Sequence, residues 1–427
     1  MTPRRGLLRQ SSPAWGGIDQ ALSSGTNFAL MIVTVRSVDV REFGTFSLVY
    51  LLYVLMLPIA RSTGTMPFTV RHARATGEAL ALPAARSLHY AFALGLVVTG
   101  ACLVLAALTD GAQAASFAVL GVCFPLLLVQ DAVRGVLFVR SEFLRATVND
   151  AVWAVVMVAV LAPVLLLGSD PSVTVFVAAW AGSGAVAGVF GLVQLRTRLR
   201  LVRPTRWLRE NDDLARPLFL NAVFTILPAQ LTYLLMPLVS SVTELGEVRA
   251  AYVLFGVLNV VYTTVAMVSL PYASRIEPSR SRTLAIWLSG SMAAAAVAWG
   301  VLVMSLPADV GRAIIGAAWD DTEAVRLVLA ISLVAEGATV GSQTVLASLR
   351  MPDRMARVRY VTAPLTLVLG LTLAAWKGSL GVAAGFAIGY GATAVLGWLQ
   401  LPPRSVLDHL DRAQLDADDE SRRSHAS

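Results

Sequence analysis

The chain has 427 residues, of which 56% are hydrophobic and only 14% are charged, and its formal net charge at pH 7 is +7. A mean hydropathy of +0.68 excludes an ordinary soluble globular domain. The basic residues lie in short clusters between apolar runs, not in a stripe interleaved with aromatic residues. The positive charge therefore does not indicate a nucleic-acid-binding surface.

Apolar runs long enough to cross a bilayer, which takes about 20 helical residues, recur along the whole chain. Before an Arg-rich polar stretch they predict helices near 15–35, 43–68, 87–109, 114–138, 148–168 and 172–195. After that stretch they predict helices near 215–239, 249–272, 283–306, 326–349, 360–376 and 379–400. We therefore predict an all-α integral membrane protein with about twelve transmembrane helices.

The polar segments divide this plan into two six-helix lobes. We predict an N-terminal tail at 1–14, a first lobe at 15–195, a basic linker at 196–214, a second lobe at 215–400 and a polar, disordered tail at 401–427. With the N-terminus inside, the external segments carry only Arg36, Arg41, Arg249, Arg312, Arg326 and Lys377. This bias places both termini and the linker in the cytoplasm. The Arg- and Ala-rich composition is typical of a high-GC bacterial genome, and we predict a location in the bacterial plasma membrane.

Two pairs of similar sequence features, at nearly the same spacing, indicate that the lobes are repeats. Pro67-Phe68-Thr69-Val70-Arg71 ends the second predicted helix, and Pro271-Tyr272-Ala273-Ser274-Arg275 ends the eighth. Arg140 and Arg350 end the fourth and tenth helices at nearly the same offset. Because each half has an even number of spans, the repeats would share one orientation, as in duplicated transporters.

Charged residues inside predicted helices are the main functional candidates, because burying charge in a membrane is costly. Arg61 lies six residues before Pro67 and Arg134 six residues before Arg140, which places both about 9 Å inside the cytoplasmic boundary. Guanidinium groups at one level of a cavity would suit a phosphate or pyrophosphate. Alternatively, both arginines extend to the headgroups, or Asp131 neutralises Arg134 from three residues away.

Glu336 lies near the middle of its helix, and Gly337 and Gly341 beside it allow a neighbouring backbone to approach closely. It is the candidate ion-coupling carboxylate, and a structural hydrogen-bonded carboxylate is the alternative. Asp131 is a further charged candidate for the cavity. Asn27 and Asn259 are polar candidates for it, or contacts between helices.

Three prolines lie inside predicted helices, where they can bend the chain. Pro58 is in the second helix, and Pro228 and Pro237 are in the seventh, so all three are candidate gating bends. No catalytic cluster, metal site or cofactor motif is predicted.

The N-terminal helix pair carries a recognisable set of residues. Trp15-Gly16-Gly17-Ile18-Asp19-Gln20-Ala21-Leu22-Ser23-Ser24 is followed by Asn27-Phe28, by Val35-Arg36 and by the turn Arg41-Glu42-Phe43-Gly44-Thr45-Phe46. This set resembles the polysaccharide exporters of the multidrug/oligosaccharidyl-lipid/polysaccharide (MOP) superfamily, the Wzx-type flippases for O-antigen and teichoic-acid precursors. With the twelve-helix plan, the resemblance covers about residues 10–400.

The resemblance implies that the protein flips an undecaprenyl-pyrophosphate-linked oligosaccharide or polysaccharide precursor to the outer leaflet by ion-coupled alternating access. Its implied partners are the lipid-linked glycan, membrane lipids and polysaccharide-assembly enzymes, with no cofactor. Related flippases line a central cavity with arginines, and Arg61 and Arg134 are the matching positions here. The second half departs from that pattern, because none of its predicted helices contains an arginine well inside the membrane.

Two other functions remain open from the sequence. A cation-coupled multidrug exporter of the same superfamily would need acidic residues in its cavity. Glu336 is the acidic residue that the sequence places deepest in the membrane. A membrane enzyme of polysaccharide assembly generally needs a large external loop with catalytic residues, whereas the longest one here, near 307–325, is short and lacks His. We therefore predict a transporter and not an enzyme. A scaffold for polysaccharide assembly is a lesser alternative.

Overall fold

A computed structural model describes residues 12–75, 77–167, 171–196, 203–403 and 405–407. The regular elements in these ranges are all helical. The predicted N-terminal tail falls almost entirely outside them, as do linker residues 197–202 and the tail from 408 onward.

The long helices follow the apolar runs. The first half of the chain forms α1 (Pro13–Ser37), α2 (Val40–Ala60), α3 (Met66–Arg71), α4 (Ala81–Ala107), α5 (Gly111–Val139), α6 (Phe143–Leu166) and α7 (Val173–Leu195). The remainder forms α8 (Pro204–Glu210), α9 (Asp212–Thr225), α10 (Leu227–Val239), α11 (Val242–Ala273), α12 (Ser281–Ser305), α13 (Ala308–Ile315), α14 (Ala318–Asp321), α15 (Glu323–Ser348) and α16 (Pro352–Gln400).

Nine stretches of helix in the described ranges are long and apolar enough to cross a membrane, and the bent pair α9 and α10 makes a tenth. α16 has 49 residues and breaks at Lys377 and Gly378, where Gly378 has a φ of 55°. At about 1.5 Å per residue α16 is long enough for two crossings. α1 has sufficient length but is more polar. The multi-span all-α fold predicted from the sequence is therefore confirmed.

Two predicted single helices are interrupted. The second predicted helix consists of α2 and α3 joined by a π-helical turn, Arg61–Thr65. The seventh consists of α9 and α10, which meet at a 58° bend. Three short helices, α8, α13 and α14, lie in segments that the sequence indicated only as polar linker or loop.

By their contacts the residues form two compact units, which we describe separately. Unit 1 contains the chain up to Pro237 together with Val242–Ala250 and Arg312–Ala318. Unit 2 contains Leu238–Ser241, Ala251–Gly311 and the chain from Trp319. α9 and α10 thus pack with unit 1. The predicted lobes are repeats along the sequence, and the division into packed units does not test such a repeat. The predicted lobe boundaries therefore stay a prediction.

In unit 1, α5 packs along α4 and α7, α6 packs along α7, and α1 packs along α6. Its core includes the fully buried ring of Trp180, which contacts the rings of Tyr50, Tyr53 and Trp153. α2 and the start of α11 approach so closely that a Cβ on Gly44 would fall on the carbonyl oxygen of Val242. Small residues at such contacts are typical of membrane helices.

In unit 2, α15 packs between α12 and α16. The approach of α12 depends on glycine, because a Cβ on Gly337 would lie 2.9 Å from the backbone of Met292, and one on Gly341 would collide with the carbonyl of Ala285. The close backbone approach predicted beside Glu336 is therefore confirmed.

Candidate functional site

Five charged residues inside the helices of unit 1 form two neighbouring groups of ion pairs, and the two groups act on one another electrostatically. They are two arginines and three aspartates from α1, the π-helical turn, α5 and α6: Asp19, Arg61, Asp131, Arg134 and Asp150. We call these five residues the charged cluster. Membrane burial makes unpaired charge costly, so helices from distant parts of the chain bring opposite charges into contact.

Arg61 pairs with Asp131. Its Nη2 atom lies 2.6 Å from Oδ1 of Asp131, and its Nε atom lies 3.0 Å from Oδ1 and 3.1 Å from Oδ2, so two N–H groups of the guanidinium bond to one carboxylate. Asp131 is buried, whereas 39% of the Arg61 side chain remains exposed. Arg61 is thus held at one edge and open at the other, which leaves N–H groups free to meet an anion.

Arg134 pairs with Asp19 of α1. The Nη2 atom of Arg134 lies 2.5 Å from Oδ2 of Asp19, and its Nε atom lies 3.9 Å from Oδ2 of Asp150. Only 14% of the Arg134 side chain is exposed, and its guanidinium also lies over the ring of Phe138. Neutralisation of Arg134 by Asp131, which the spacing of three residues suggested, is therefore wrong, because Asp131 bonds to Arg61 instead.

Gln130 links Asp150 to the neighbouring Asn149. Gln130 donates a hydrogen bond of 2.8 Å to Oδ1 of Asp150 and one of 3.1 Å to Oδ1 of Asn149. Asn149 in turn donates to the carbonyl oxygen of Ala187 on α7. These bonds fix α5, α6 and α7 around the carboxylate, because buried polar groups without partners are expensive.

The charged cluster has one more carboxyl group than guanidinium groups. Oδ1 of Asp19 and Oδ2 of Asp150 are buried, and neither accepts a hydrogen bond from the part of the chain that the structure describes. Buried like charges disfavour one another, so a proton on one of these carboxyl groups would balance the cluster. The arrangement is chemically suited to taking up and releasing a proton.

Asp19 and Asp150 were not singled out from the sequence. Both lie within five residues of the start of a predicted helix, where a charge is normally assigned to the headgroup region. The observed helices begin earlier than predicted, at Pro13 and Phe143, so each carboxylate lies almost two turns inside its helix.

Glu336 lies at the middle of α15 in unit 2, as predicted, and its side chain is partly buried. Its neighbour Tyr262 of α11 donates a hydrogen bond to the carbonyl oxygen of Leu333, one turn earlier in α15. Within the described ranges the Glu336 carboxylate has no hydrogen bond or ion pair of its own, so its coupling role stays a prediction.

The other predicted site residues are not brought into the charged cluster. Asn27 bonds to the carbonyl oxygen of Ser23 in its own helix, and Asn259 bonds to the hydroxyl of Tyr252 in unit 2. Their substrate-binding role stays a prediction.

The prolines lie at or near breaks in the helices. Pro58 precedes the π-helical turn by three residues, Pro228 follows the 58° bend directly, and Pro237 lies near the end of α10. Their gating role stays a prediction.

No protein-family model matches the chain, and no curated protein matches it in sequence. Solved structures do match its fold. An inward-facing multidrug resistance MATE family transporter of the MOP superfamily has a TM-score of 0.71 at 14% identity, over 92% of this chain and 96% of that one. The lipid II flippase MurJ in an inward closed conformation has a TM-score of 0.69 at 10% identity, over 93% and 90%.

An outward-facing MATE transporter of the same superfamily also matches, with a TM-score of 0.57 at 15% identity, over 96% of this chain and 97% of that one. The matched proteins are transporters and a flippase, not enzymes. At these identities the likeness shows the fold alone. The chain is therefore a multi-pass membrane protein with the fold that MATE transporters and the MurJ flippase share within the MOP superfamily.

Proposed function

We propose that this protein flips a lipid-linked oligosaccharide of the undecaprenyl-pyrophosphate type across a bacterial plasma membrane, with both termini in the cytoplasm. The observation that carries the proposal is the side chain of Arg61, which lies inside a membrane-spanning stretch, pairs with Asp131 and is still 39% exposed. A pyrophosphate can bind its free N–H groups in paired, charge-assisted bonds. The fold shared with a lipid II flippase is compatible with such a substrate.

A multidrug exporter is the second candidate, because the chain shares its fold equally with MATE transporters. The three aspartates of the charged cluster favour it, since acidic groups attract cationic drugs. However, Asp19, Asp131 and Asp150 are each buried and within 4 Å of an arginine, so they offer a drug less charge than their number suggests.

Transport by the purified protein in lipid vesicles separates the two candidates. We expect movement of a fluorescent undecaprenyl-pyrophosphate-linked sugar to the opposite leaflet and no accumulation of a cationic dye such as ethidium. Dye accumulation without movement of the lipid-linked sugar would establish the exporter and overturn the flippase.

Ion coupling is the second part of the proposal. We propose that Glu336 binds the coupling proton, because its carboxylate lies in the middle of a membrane-spanning helix with no hydrogen bond or ion pair within the described ranges, and intramembrane carboxylates commonly carry protons in transporters. Flipping by the wild type should therefore accelerate when a proton gradient is imposed across the vesicles. Glu336→Gln should flip at a rate that no longer depends on the gradient.

Two further variants make this coupling test specific. Glu277→Gln is a matched control, because Glu277 is 64% exposed and should keep the gradient dependence. Asp150→Asn tests the charged cluster in the same vesicles. If Glu336→Gln keeps the dependence and Asp150→Asn loses it, coupling belongs to the charged cluster and the assignment to Glu336 is wrong.

A further inference from the structure

The π-helical turn Arg61–Thr65 joins α2 to α3 and sets the directions in which side chains on either side of it point. An α-helix turns about 100° per residue, and a π-helical turn absorbs one extra residue. The directions of Arg61 and Arg71 therefore depend on the turn. Arg61 meets Asp131 of α5, while Arg71 meets Asp213 at the start of α9 with two hydrogen bonds of 2.7 Å.

The short helix α8, between α7 and α9, packs against α4 and reaches this turn through Trp207. Trp207 of α8 is 4% exposed, and its indole N–H donates a 3.0 Å hydrogen bond to the carbonyl oxygen of Thr63, at the centre of the turn. The hydroxyl of Tyr90 on α4 donates to Oγ1 of the same threonine at 2.9 Å. The rings of Trp207 and Tyr90 stack with their centroids 6.1 Å apart.

Surface contacts orient α8 without burying charge. Arg71 donates to the carbonyl oxygen of Glu210, and Arg86 lies 3.6 Å from the Glu210 carboxylate. Arg206 also donates to that carboxylate and lowers the pKa of Glu210 below its usual value. Exposed ion pairs of this kind contribute little. The buried indole of Trp207 is therefore the main attachment of α8 to the turn.

We propose that Trp207 is a positioning residue for Arg61. By bonding to Thr63, it holds the π-helical turn in the register that points Arg61 at Asp131 and leaves the other edge of the guanidinium open. Attachment of the segment between α7 and α9 is thereby linked to the direction of an intramembrane arginine. The transport consequence rests on the proposed function, whereas the structural linkage does not.

The linkage can be tested by ¹⁹F NMR of protein containing 5-fluorotryptophan in nanodiscs. The chain has nine tryptophans, and Trp207→Phe and Trp299→Phe assign the two signals of interest. Trp299 is a matched reference, because its indole donates a 2.9 Å bond to the carbonyl oxygen of Leu254 in unit 2. Asp131→Asn and Arg61→Gln remove the Arg61 ion pair without touching either indole.

We expect both substitutions to shift the Trp207 signal and to leave the Trp299 signal in place. A Trp207 signal that stays unmoved in Asp131→Asn and in Arg61→Gln would overturn the linkage, whatever the transport data show. The readout is specific because a residue with a merely structural role in α8 would not report on an ion pair that it does not contact.

A transport assay is the second test of the positioning role. Trp207→Phe keeps a packed ring but loses the hydrogen bond, and we expect it to lower flipping about fivefold, as for one lost hydrogen bond. Trp299→Phe, which loses a bond of the same type, should flip near the wild-type rate. A wild-type rate in Trp207→Phe would overturn the positioning role. If Arg61→Gln flips normally, the proposed function fails, and the NMR shifts would still support the linkage.

Discussion

Replacing Arg134 by Leu is expected to lower the free energy of unfolding by about 3–5 kcal/mol, the usual cost of removing one partner from a buried ion pair. The variant would leave the fully buried carboxylate of Asp19 without its cation and would place Asp150 beside it with no charge between them. The midpoint of thermal unfolding in detergent, followed by gel filtration, measures the loss.

Two variants control this prediction. Arg134→Lys keeps the positive charge and should lose less stability than Arg134→Leu. Arg280→Leu removes an arginine whose pair with Glu277 is largely exposed, and exposed pairs are worth about 0–1 kcal/mol. An Arg134→Leu protein that unfolds at the same temperature as Arg280→Leu would show that the charged cluster is not a stabilising ion-pair network.

The helices were predictable because the bilayer imposes a simple rule on the sequence. A span needs about 20 apolar residues and cannot leave backbone groups unpaired, so apolar runs bounded by charge mark helices directly. The predicted run 114–138 corresponds closely to α5 (Gly111–Val139). Helix ends differ by a few residues because charged and polar residues continue a helix into the headgroup region.

Local interruptions were not predictable from the same rule. The π-helical turn at Arg61–Thr65 lies in a sequence that continues the hydrophobic run, and it is held from outside by Trp207 and Tyr90. α8 is short, and its sequence resembles a polar loop. Its helical structure depends on contacts with distant residues, which a pattern along the chain does not contain.

For the charged residues, too, one part was predictable from the sequence and another was not. Arg61, Asp131 and Arg134 could be singled out, because charge inside an apolar run is visible in the sequence. Their pairing was not visible. Arg61 pairs with Asp131, seventy positions further along the chain. Arg134 of α5 pairs with Asp19 of α1 and not with Asp131, which is three residues away from it. Tertiary packing decides which opposite charges meet.

The role of Arg61 in binding an anion is the central claim, and a pair of variants separates that role from a structural one. If Arg61 binds pyrophosphate, Arg61→Gln loses charge-assisted hydrogen bonds worth about 1.5–3 kcal/mol, which weakens binding about tenfold or more. Asp131→Asn removes the competing carboxylate and keeps the positive charge of Arg61. If the pair serves only stability, both variants should behave alike.

The direct measurement is the affinity of the purified protein, in nanodiscs, for undecaprenyl pyrophosphate. Wild type and Asp131→Asn should bind it with similar affinity, or Asp131→Asn more tightly, while Arg61→Gln should bind at least about tenfold more weakly with an unchanged gel-filtration profile. Equal affinity of wild type and Arg61→Gln would contradict the account, as would an equal loss of affinity in Asp131→Asn.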